Sequence, residues 1–142
     1  MKRTPLQRKS KSEVSLTKDE IQRLLREIRK ILDGGCVLRD SPESGACGGY
    51  RADGELILQY DHLHSRTHAV SFSDYRLGVI VCKRHHLFWK RQYPAEYERL
   101  IRGIIGKERC ELLDKVREDY KPHKVDLKLE VVALSAELKK LQ

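Results

Sequence analysis

One pattern of cysteines and histidines constrains the fold of this chain more than any other feature. Cys82 and His85 stand three positions apart, directly after the apolar segment 77–81, so a tight turn or a first helical turn would bring both onto one ion. Cys36 and Cys47 fall in a preceding loop-like segment. Three cysteines and one histidine can form a closed tetrahedral zinc site. The spacing therefore predicts a structural Zn²⁺ that ties the loop to the start of a helix.

The surroundings of these cysteines favour a metal over the ordinary alternatives. Residues 36–54 are rich in glycine, and a loop of this length in a compact domain needs a constraint, which a metal supplies. Four cysteines without a secretory signal argue against a disulfide framework. A buried, unligated thiol remains the alternative for Cys82. Cys110 is predicted to be such a core thiol, because it shares an amphipathic helix with Leu113.

Hydrophobic periodicity predicts an α+β fold with flanking helices at both ends. Residues 55–60 and 77–81 are typical of short strands, and a helix is predicted over 83–91. At 142 residues, one compact domain is expected. Its predicted parts are a flexible basic arm over 1–14, an N-terminal helix over 15–35, a zinc-braced core over 36–92 and a helical extension over 93–142.

The last predicted helix carries apolar residues at heptad spacing. The seam spans only two heptads, which is shorter than a firm coiled-coil prediction needs. Packing of this helix on its own domain is therefore favoured, and a homodimer through it is the alternative. The seam consists of Leu127, Val131, Leu134, Leu138 and Leu141.

Charge and hydropathy limit the partners and the location. The chain has 29 basic and 21 acidic residues, a net charge of +8, which favours a polyanionic partner, above all nucleic acid. Residues 1–12 hold five basic and no acidic residues, typical of a solubilising tail or of an arm that holds phosphates. No apolar run approaches the roughly 18 residues of a membrane span, so no membrane partner and a cytoplasmic location are expected.

A second group of polar residues lies at the ends of the same predicted elements. Asp61 and His62 follow the first strand, and His86 stands on the helix. An acid and a histidine can hold Mg²⁺ or Mn²⁺ against a scissile phosphate, and another neutral histidine can take a proton from water. Asp61 and His86 are therefore the predicted metal ligands and His62 the general base. An ordinary surface dipeptide is the alternative for Asp61 and His62.

The segment from Tyr60 to His62, taken with Cys82 to His86, resembles the HNH endonucleases, which have a ββα-metal fold. This resemblance implies metal-dependent hydrolysis of DNA. It implies that His62 is the general base, that His86 binds the catalytic metal with Asp61 as a further ligand, and that a Cys/His zinc knuckle braces the fold.

A looser similarity covers roughly residues 36–142 and points to phage recombination endonucleases of the lambda NinG type. It implies a phage or prophage setting, a location in the host cytoplasm, a role in DNA recombination and a branched or displaced-strand DNA substrate. The similarity rests on the catalytic motif together with Ser65-Arg66, Ser73-Asp74-Tyr75-Arg76, Tyr97 to Glu108 and Pro122-His123-Lys124.

The chain departs from the family pattern between its two predicted strands. The middle asparagine, which orients the first histidine, has no match, and Leu77 falls near its position. Asp74 or a nearby carbonyl group is the expected substitute. The same loop carries two extra histidines, His64 and His68, which are additional candidates for metal ligands or phosphate contacts.

Basic residues around the predicted catalytic helix are expected to contact the DNA backbone without reading sequence. Trp89, among them, is expected in the core, with base stacking as its alternative. The predicted DNA contacts are Lys83, Arg84, Lys90, Arg91 and Arg66.

Two rival functions remain open from the sequence. One is a non-catalytic, zinc-stabilised DNA-binding module, in which the missing asparagine reflects lost catalysis. The other is an interaction protein that dimerises through the last helix and loads a recombination partner.

Overall fold

The computed structural model describes residues 12–64, 72–119 and 125–142. Over these residues the chain has an α+β fold with five α-helices and a small two-stranded sheet, which confirms the predicted class. A 3₁₀ turn precedes the second strand, and a π-helix runs directly into the second α-helix. The elements are α1 (Glu13–Asp33), β1 (Leu58–His62), the 3₁₀ turn (Tyr75–Leu77), β2 (Gly78–Cys82), the π-helix (Arg84–Trp89), α2 (Lys90–Gln92), α3 (Pro94–Ile105), α4 (Lys107–Glu118) and α5 (Leu127–Leu141).

Helix α1 forms where its capping residues and its apolar stripe predict it. The Ser12 side chain accepts a hydrogen bond from the Ser15 amide at the first turn. Gly34 ends the helix with φ of 70°, a left-handed conformation that glycine adopts without strain. The buried stripe of α1 faces the sheet and consists of Ile21, Leu24, Leu25 and Ile28.

The two strands pair antiparallel, but β1 begins three residues later than predicted. Asp61 lies opposite Val79, and His62 lies opposite Gly78. The residues before β1 pair elsewhere, because the Ile57 amide donates to the Gly49 carbonyl and Leu56 forms an isolated bridge with Tyr50. Leu56 therefore packs against the first apolar cluster, and Ile57 is shared between the cysteine loop and Lys83, just after β2.

The outer edge of β2 is covered by groups from other elements. The Ile80 amide donates to Asp33 Oδ2 at 3.0 Å, and the Ile80 carbonyl accepts from the Val37 amide at 2.9 Å. Arg109 Nη2 donates to the Gly78 carbonyl at 2.7 Å. Asp33 is itself held by a buried ion pair with Arg29. These contacts satisfy backbone groups that an exposed edge strand would offer to another chain.

Two apolar clusters lie on opposite sides of the sheet. One joins the cysteine loop to the helices after β2 and includes Trp89, in agreement with its predicted core position. The other joins the sheet to α1 and α5 and includes the buried Leu134. The whole predicted heptad seam of α5 packs into this second cluster, so the seam is used within the chain.

The helical extension breaks at Gly106, as predicted, between α3 and α4. Cys110, on α4, is partly buried against the first cluster, and its thiol donates to the Arg102 carbonyl at 3.3 Å. This position agrees with its prediction as a core thiol. None of the helices among the described residues combines the length and apolar character that a membrane span requires.

Candidate functional site

The predicted zinc ligands come together at the junction of the cysteine loop, β2 and the π-helix. Their ligand atoms all lie within 4.8 Å of one another. His85 Nδ1 is 3.1 Å from Cys82 Sγ, 3.4 Å from Cys36 Sγ and 3.9 Å from Cys47 Sγ. A tetrahedral Zn²⁺ at ordinary bond lengths would separate nitrogen and sulfur ligands by about 3.5 Å. The donor set and its spacing therefore fit a structural zinc.

The orientation of His85 is fixed by the loop that carries Cys47. His85 Nε2 lies 3.0 Å from the Gly45 carbonyl and 3.2 Å from the Ser44 carbonyl, so Nε2 carries the hydrogen and donates it to these oxygens. In the neutral ring, Nδ1 then keeps its lone pair and faces the three thiols. A backbone carbonyl on the distal nitrogen is the usual support of a metal-binding histidine.

The protonation of the cluster is set mainly by burial. Burial raises the pKa of the Cys36 thiol, and burial together with the neighbouring Cys36 and Cys82 raises the pKa of Cys47 to about 12. Burial also lowers the pKa of His85, which favours the neutral imidazole. Without a cation, the Cys36 and Cys47 thiols therefore stay protonated, and a bound metal would have to displace their protons.

Arg84 holds the cysteine loop against the π-helix. Its Nη1 donates to the Ala46 carbonyl at 2.7 Å and to the Ser44 carbonyl at 2.9 Å. Gly45 permits this approach, because a Cβ at that position would lie 2.9 Å from Arg84 Nη2 and because its φ is 73°. Arg84, predicted as a DNA contact, thus supports the zinc ligands in this structure.

A second cluster surrounds Asp61, which is buried at the end of β1. Lys90 Nζ donates to both carboxylate oxygens at 2.9 Å, and the Tyr97 hydroxyl donates to Oδ2 at 2.5 Å. His86 Nε2 lies 3.3 Å from Oδ1. Asp61 and His86, predicted as ligands of one catalytic ion, are therefore adjacent.

Gln59 sets the orientation of His86. His86 Nδ1 lies 2.8 Å from Gln59 Oε1, an acceptor, so Nδ1 donates its hydrogen there. Nε2 then faces the carboxylate of Asp61 and donates to Oδ1 when it carries a hydrogen. A metal ion bound by both residues would take the place of that hydrogen. Strand alternation puts Gln59 and Asp61 on the same face of β1, so the ring lies across that face.

Opposing effects act on the ionisation of Asp61. Burial favours the neutral acid, but hydrogen bonds from His86, Tyr97 and Lys90 and the positive charge of Lys90 outweigh burial and lower the pKa to about 2. The carboxylate is thus ionised at neutral pH. It could serve as a hard oxygen ligand for Mg²⁺ or Mn²⁺.

Asp61 and His86, the predicted ligands of a catalytic ion, offer two ligand atoms between them. Within residues 12–64, 72–119 and 125–142, only the Cys36, Cys47, Cys82 and His85 cluster gathers three or more such ligands. Two protein ligands still suit Mg²⁺, which often completes its shell with water and substrate phosphate. Lys90 now occupies the position next to Asp61 that a metal cation would need.

His62, the predicted general base, packs on the other side of β1. Its ring stacks on Phe72 with centroids 5.6 Å apart and meets the edge of Tyr60 at 4.7 Å. It is half-buried, and it lines grooves on both sides of the strand end. His64 follows it in a half-buried bend, whereas Arg66 and His68 lie outside the described residues.

The position expected for the middle asparagine is filled by an apolar residue. Leu77 is buried in the 3₁₀ turn before β2. The expected substitute, Asp74, receives hydrogen bonds from the Arg76 side chain at 2.7 and 3.0 Å. Its carbonyl accepts from the Tyr60 hydroxyl at 3.4 Å. Asp74 is therefore engaged with the turn and with Tyr60.

The remaining predicted DNA contacts differ in their surroundings. Lys83 is half-buried and packs against Gly49 in the cysteine loop. Lys90 is 37% exposed and bound to Asp61. Arg91 is exposed, and the neighbouring Phe88 is 62% exposed. Among the described residues predicted to contact DNA, Arg91 is thus the most accessible, and the exposed Phe88 lies close to it in sequence.

Sequence reasoning missed two residues that position this site, Gln59 and Tyr97. Strand alternation relative to Asp61 could have indicated Gln59. Tyr97 stands in an apolar helical pattern with Ile101 and Ile105, and nothing in its local sequence signals that its hydroxyl reaches Asp61.

Comparison of the chain with protein-family models, curated proteins and solved structures gives no match.

Proposed function

We propose that this protein is a metal-dependent endonuclease of the HNH type that hydrolyses DNA phosphodiester bonds. The observation that carries the proposal is the 3.3 Å approach of His86 Nε2 to Asp61 Oδ1. This approach brings together the end of β1 and the helix that follows β2. The Cys36, Cys47, Cys82 and His85 cluster would bind a structural Zn²⁺ at the start of that helix.

Each side chain has a distinct role in this proposal. Asp61 and His86 would hold Mg²⁺ or Mn²⁺, which when bound supplies positive charge to the phosphate oxygens. Gln59 keeps Nε2 of His86 facing Asp61, where it could bind the same ion, and Tyr97 orients the carboxylate. His62, as the neutral imidazole, would accept the proton of the attacking water.

In this proposal, Lys90 would have different roles without and with a metal ion at Asp61. Its ammonium neutralises Asp61 in the metal-free protein. If a divalent cation took that position, Lys90 would be free to contact phosphate oxygens of the substrate as a point charge.

The substrate and setting extend the same proposal. The net charge of +8 suits a nucleic acid. The resemblance to phage recombination endonucleases supports branched or displaced-strand DNA as the substrate and the host cytoplasm as the location.

A second candidate function is a zinc-stabilised module that binds DNA without cutting it. The contact that favours it is the Lys90 ammonium on both oxygens of Asp61, which balances the buried charge without a metal. Leu77, in place of the asparagine that would orient His62, points in the same direction.

The deciding experiment is a cleavage assay on purified, zinc-loaded protein. Labelled linear duplex, single-stranded DNA and three-way and four-way junctions are incubated with Mg²⁺, with Mn²⁺ or with neither. The variants are His62→Ala and His86→Ala, with Asp40→Asn as a control, because Asp40 is an exposed acid whose ion-pair partner is Arg39 and not a residue of the Asp61 site. Zinc content and thermal stability are measured for each variant.

The proposal expects cleavage that requires Mg²⁺ or Mn²⁺ and falls by about 100-fold or more in His62→Ala, the contribution of a general base. His86→Ala should lose cleavage as well, and Asp40→Asn should keep it. DNA binding without cleavage by any combination of metal and substrate would instead establish the non-catalytic module. Cleavage that survives both histidine variants would remove these residues from the chemistry.

A further inference from the structure

We infer that the groove between α1 and β1 binds a backbone phosphate of DNA, with Arg26 as its main contact. The groove has a volume of about 240 Å³ and runs beside His62. Its wall on α1 carries Gln22, Arg23 and Arg26, and its floor is formed by β1. No role beyond packing was predicted for α1 from the sequence. The inference rests on the proposed function, because it assigns the same substrate to a further surface.

The two arginines in the groove are not equally available. Arg23 donates to Glu20 at 2.6 and 3.0 Å, so its guanidinium is already engaged. Arg26 is 48% exposed, and the Glu27 carboxylate lies 3.9 Å from its Nε, beyond hydrogen-bond distance. The N–H groups of Arg26 are therefore able to bind another anion.

The polar groups of this groove suit a phosphodiester of the proposed DNA substrate. Guanidinium groups form bidentate hydrogen bonds with phosphate oxygens. Gln22 and Gln59 add amide groups, which can donate to sugar and phosphate oxygens. Asp19 is the one acid in the described lining, so cationic side chains outnumber acidic ones there.

The groove is connected to the proposed catalytic residues through β1. Gln59 lines the groove and also accepts the hydrogen bond from His86 Nδ1. His62, the proposed base, lines the groove directly. A DNA strand whose phosphate lies on Arg26 would therefore pass beside His62 and beside Gln59, the hydrogen-bond partner of His86.

The test measures DNA binding separately from cleavage. Zinc-loaded protein is titrated, without added Mg²⁺ or Mn²⁺, into a fluorescein-labelled four-way junction and a linear duplex of matched length. Fluorescence anisotropy gives Kd between about 50 and 200 mM salt. The variant is Arg26→Ala. The matched control is Lys30→Ala, because Lys30 lies one helical turn further along α1, has the same acidic neighbour, Glu27, and does not line the groove.

Arg26→Ala is expected to weaken binding several-fold and to make the slope of log Kd against log salt shallower by about 0.9, the effect of losing one phosphate contact. Lys30→Ala should leave both quantities close to those of the wild type. Equal weakening by the two substitutions would mean that only net charge matters, and the inference would be overturned.

The outcomes also separate this inference from the proposed function. Wild-type protein that binds and cleaves DNA, with Arg26→Ala unchanged in Kd and salt slope, contradicts the groove alone. Binding that depends on Arg26 in a protein that never cleaves contradicts the nuclease and retains the groove. A wild-type protein that binds no DNA contradicts both.

Discussion

The ammonium of Lys90 lies 2.9 Å from both carboxylate oxygens of Asp61. A divalent cation on Asp61 has to displace this ammonium, so the two cations compete. Lys90→Met should therefore raise the affinity of the DNA-free, zinc-loaded protein for Mn²⁺, by several-fold in Kd. Isothermal titration calorimetry measures this change directly.

Arg91→Met provides the control for Lys90→Met, since Arg91 is the exposed neighbour on the same helix. It removes one positive charge without touching Asp61 and should leave the Mn²⁺ affinity nearly unchanged. Weaker Mn²⁺ binding in Lys90→Met would show that Lys90 supports the Asp61 site rather than competing with Mn²⁺ for it. That result would remove Asp61 from the proposed ion site.

Zinc content provides an independent prediction for the cysteine–histidine cluster. Purified protein should contain one Zn²⁺ per chain by elemental analysis. Cys36→Ser should lose that zinc and lower the free energy of unfolding by several kcal/mol, because structural sites contribute about 10 kcal/mol of metal-binding free energy. Cys110→Ser should retain the metal, because the Cys110 thiol is hydrogen-bonded to the Arg102 carbonyl and is not part of the cluster. Zinc retained at full stoichiometry in Cys36→Ser would contradict the ligand assignment.

Two glycine substitutions should change stability in opposite directions. A Cβ at Gly78 would overlap the phenol ring of Tyr60, so Gly78→Ala should destabilise the fold by about 1–3 kcal/mol, as overpacking does. Gly103 lies within α3 with no neighbouring atom within 4 Å of an added Cβ. Gly103→Ala should therefore stabilise by about 0.5–1 kcal/mol. Denaturant unfolding measures both, and a stable Gly78→Ala would contradict the packing of Tyr60 across β2.

The grouping of the cysteine–histidine cluster could be predicted from the sequence because few residues offer sulfur or imidazole ligands. Three cysteines and a neighbouring histidine leave little choice of partners, and their approach within 4.8 Å is confirmed. The bound ion itself stays a prediction. The fold class followed from the two short strands and the helical spacing around them.

The residues that position Asp61 could not be predicted as readily, because their contacts join distant parts of the chain. Tyr97 lies 36 residues from Asp61, and Lys90 lies 29 residues away. Local periodicity assigns each of them to a helix face but does not reveal what that face meets. Arg84 shows the same limitation, since its loop contacts span about 40 residues.

The first strand begins later than predicted for a related reason. Leu56 and Ile57 continue the apolar pattern of the strand, yet the Ile57 amide donates to Gly49 in the cysteine loop, whereas the Ile57 carbonyl accepts from the Lys83 amide on the other side. Sequence patterns report that a segment is extended and half-buried, but they do not identify its pairing partner. The heptad seam of α5 was ambiguous in the same way, and its partner is α1 of the same chain.

The packing of α1 against α5 also has a consequence for biosynthesis. The ribosome releases α1 first among the described helices and α5 last. The part of the apolar stripe of α1 that packs on α5 is therefore uncovered until α5 has been synthesised. Contacts between such distant segments form slowly, because a long loop has to close before they are made. The nascent chain therefore leaves Leu24, Leu25 and Ile28 without their full packing until the sheet and α5 have been synthesised.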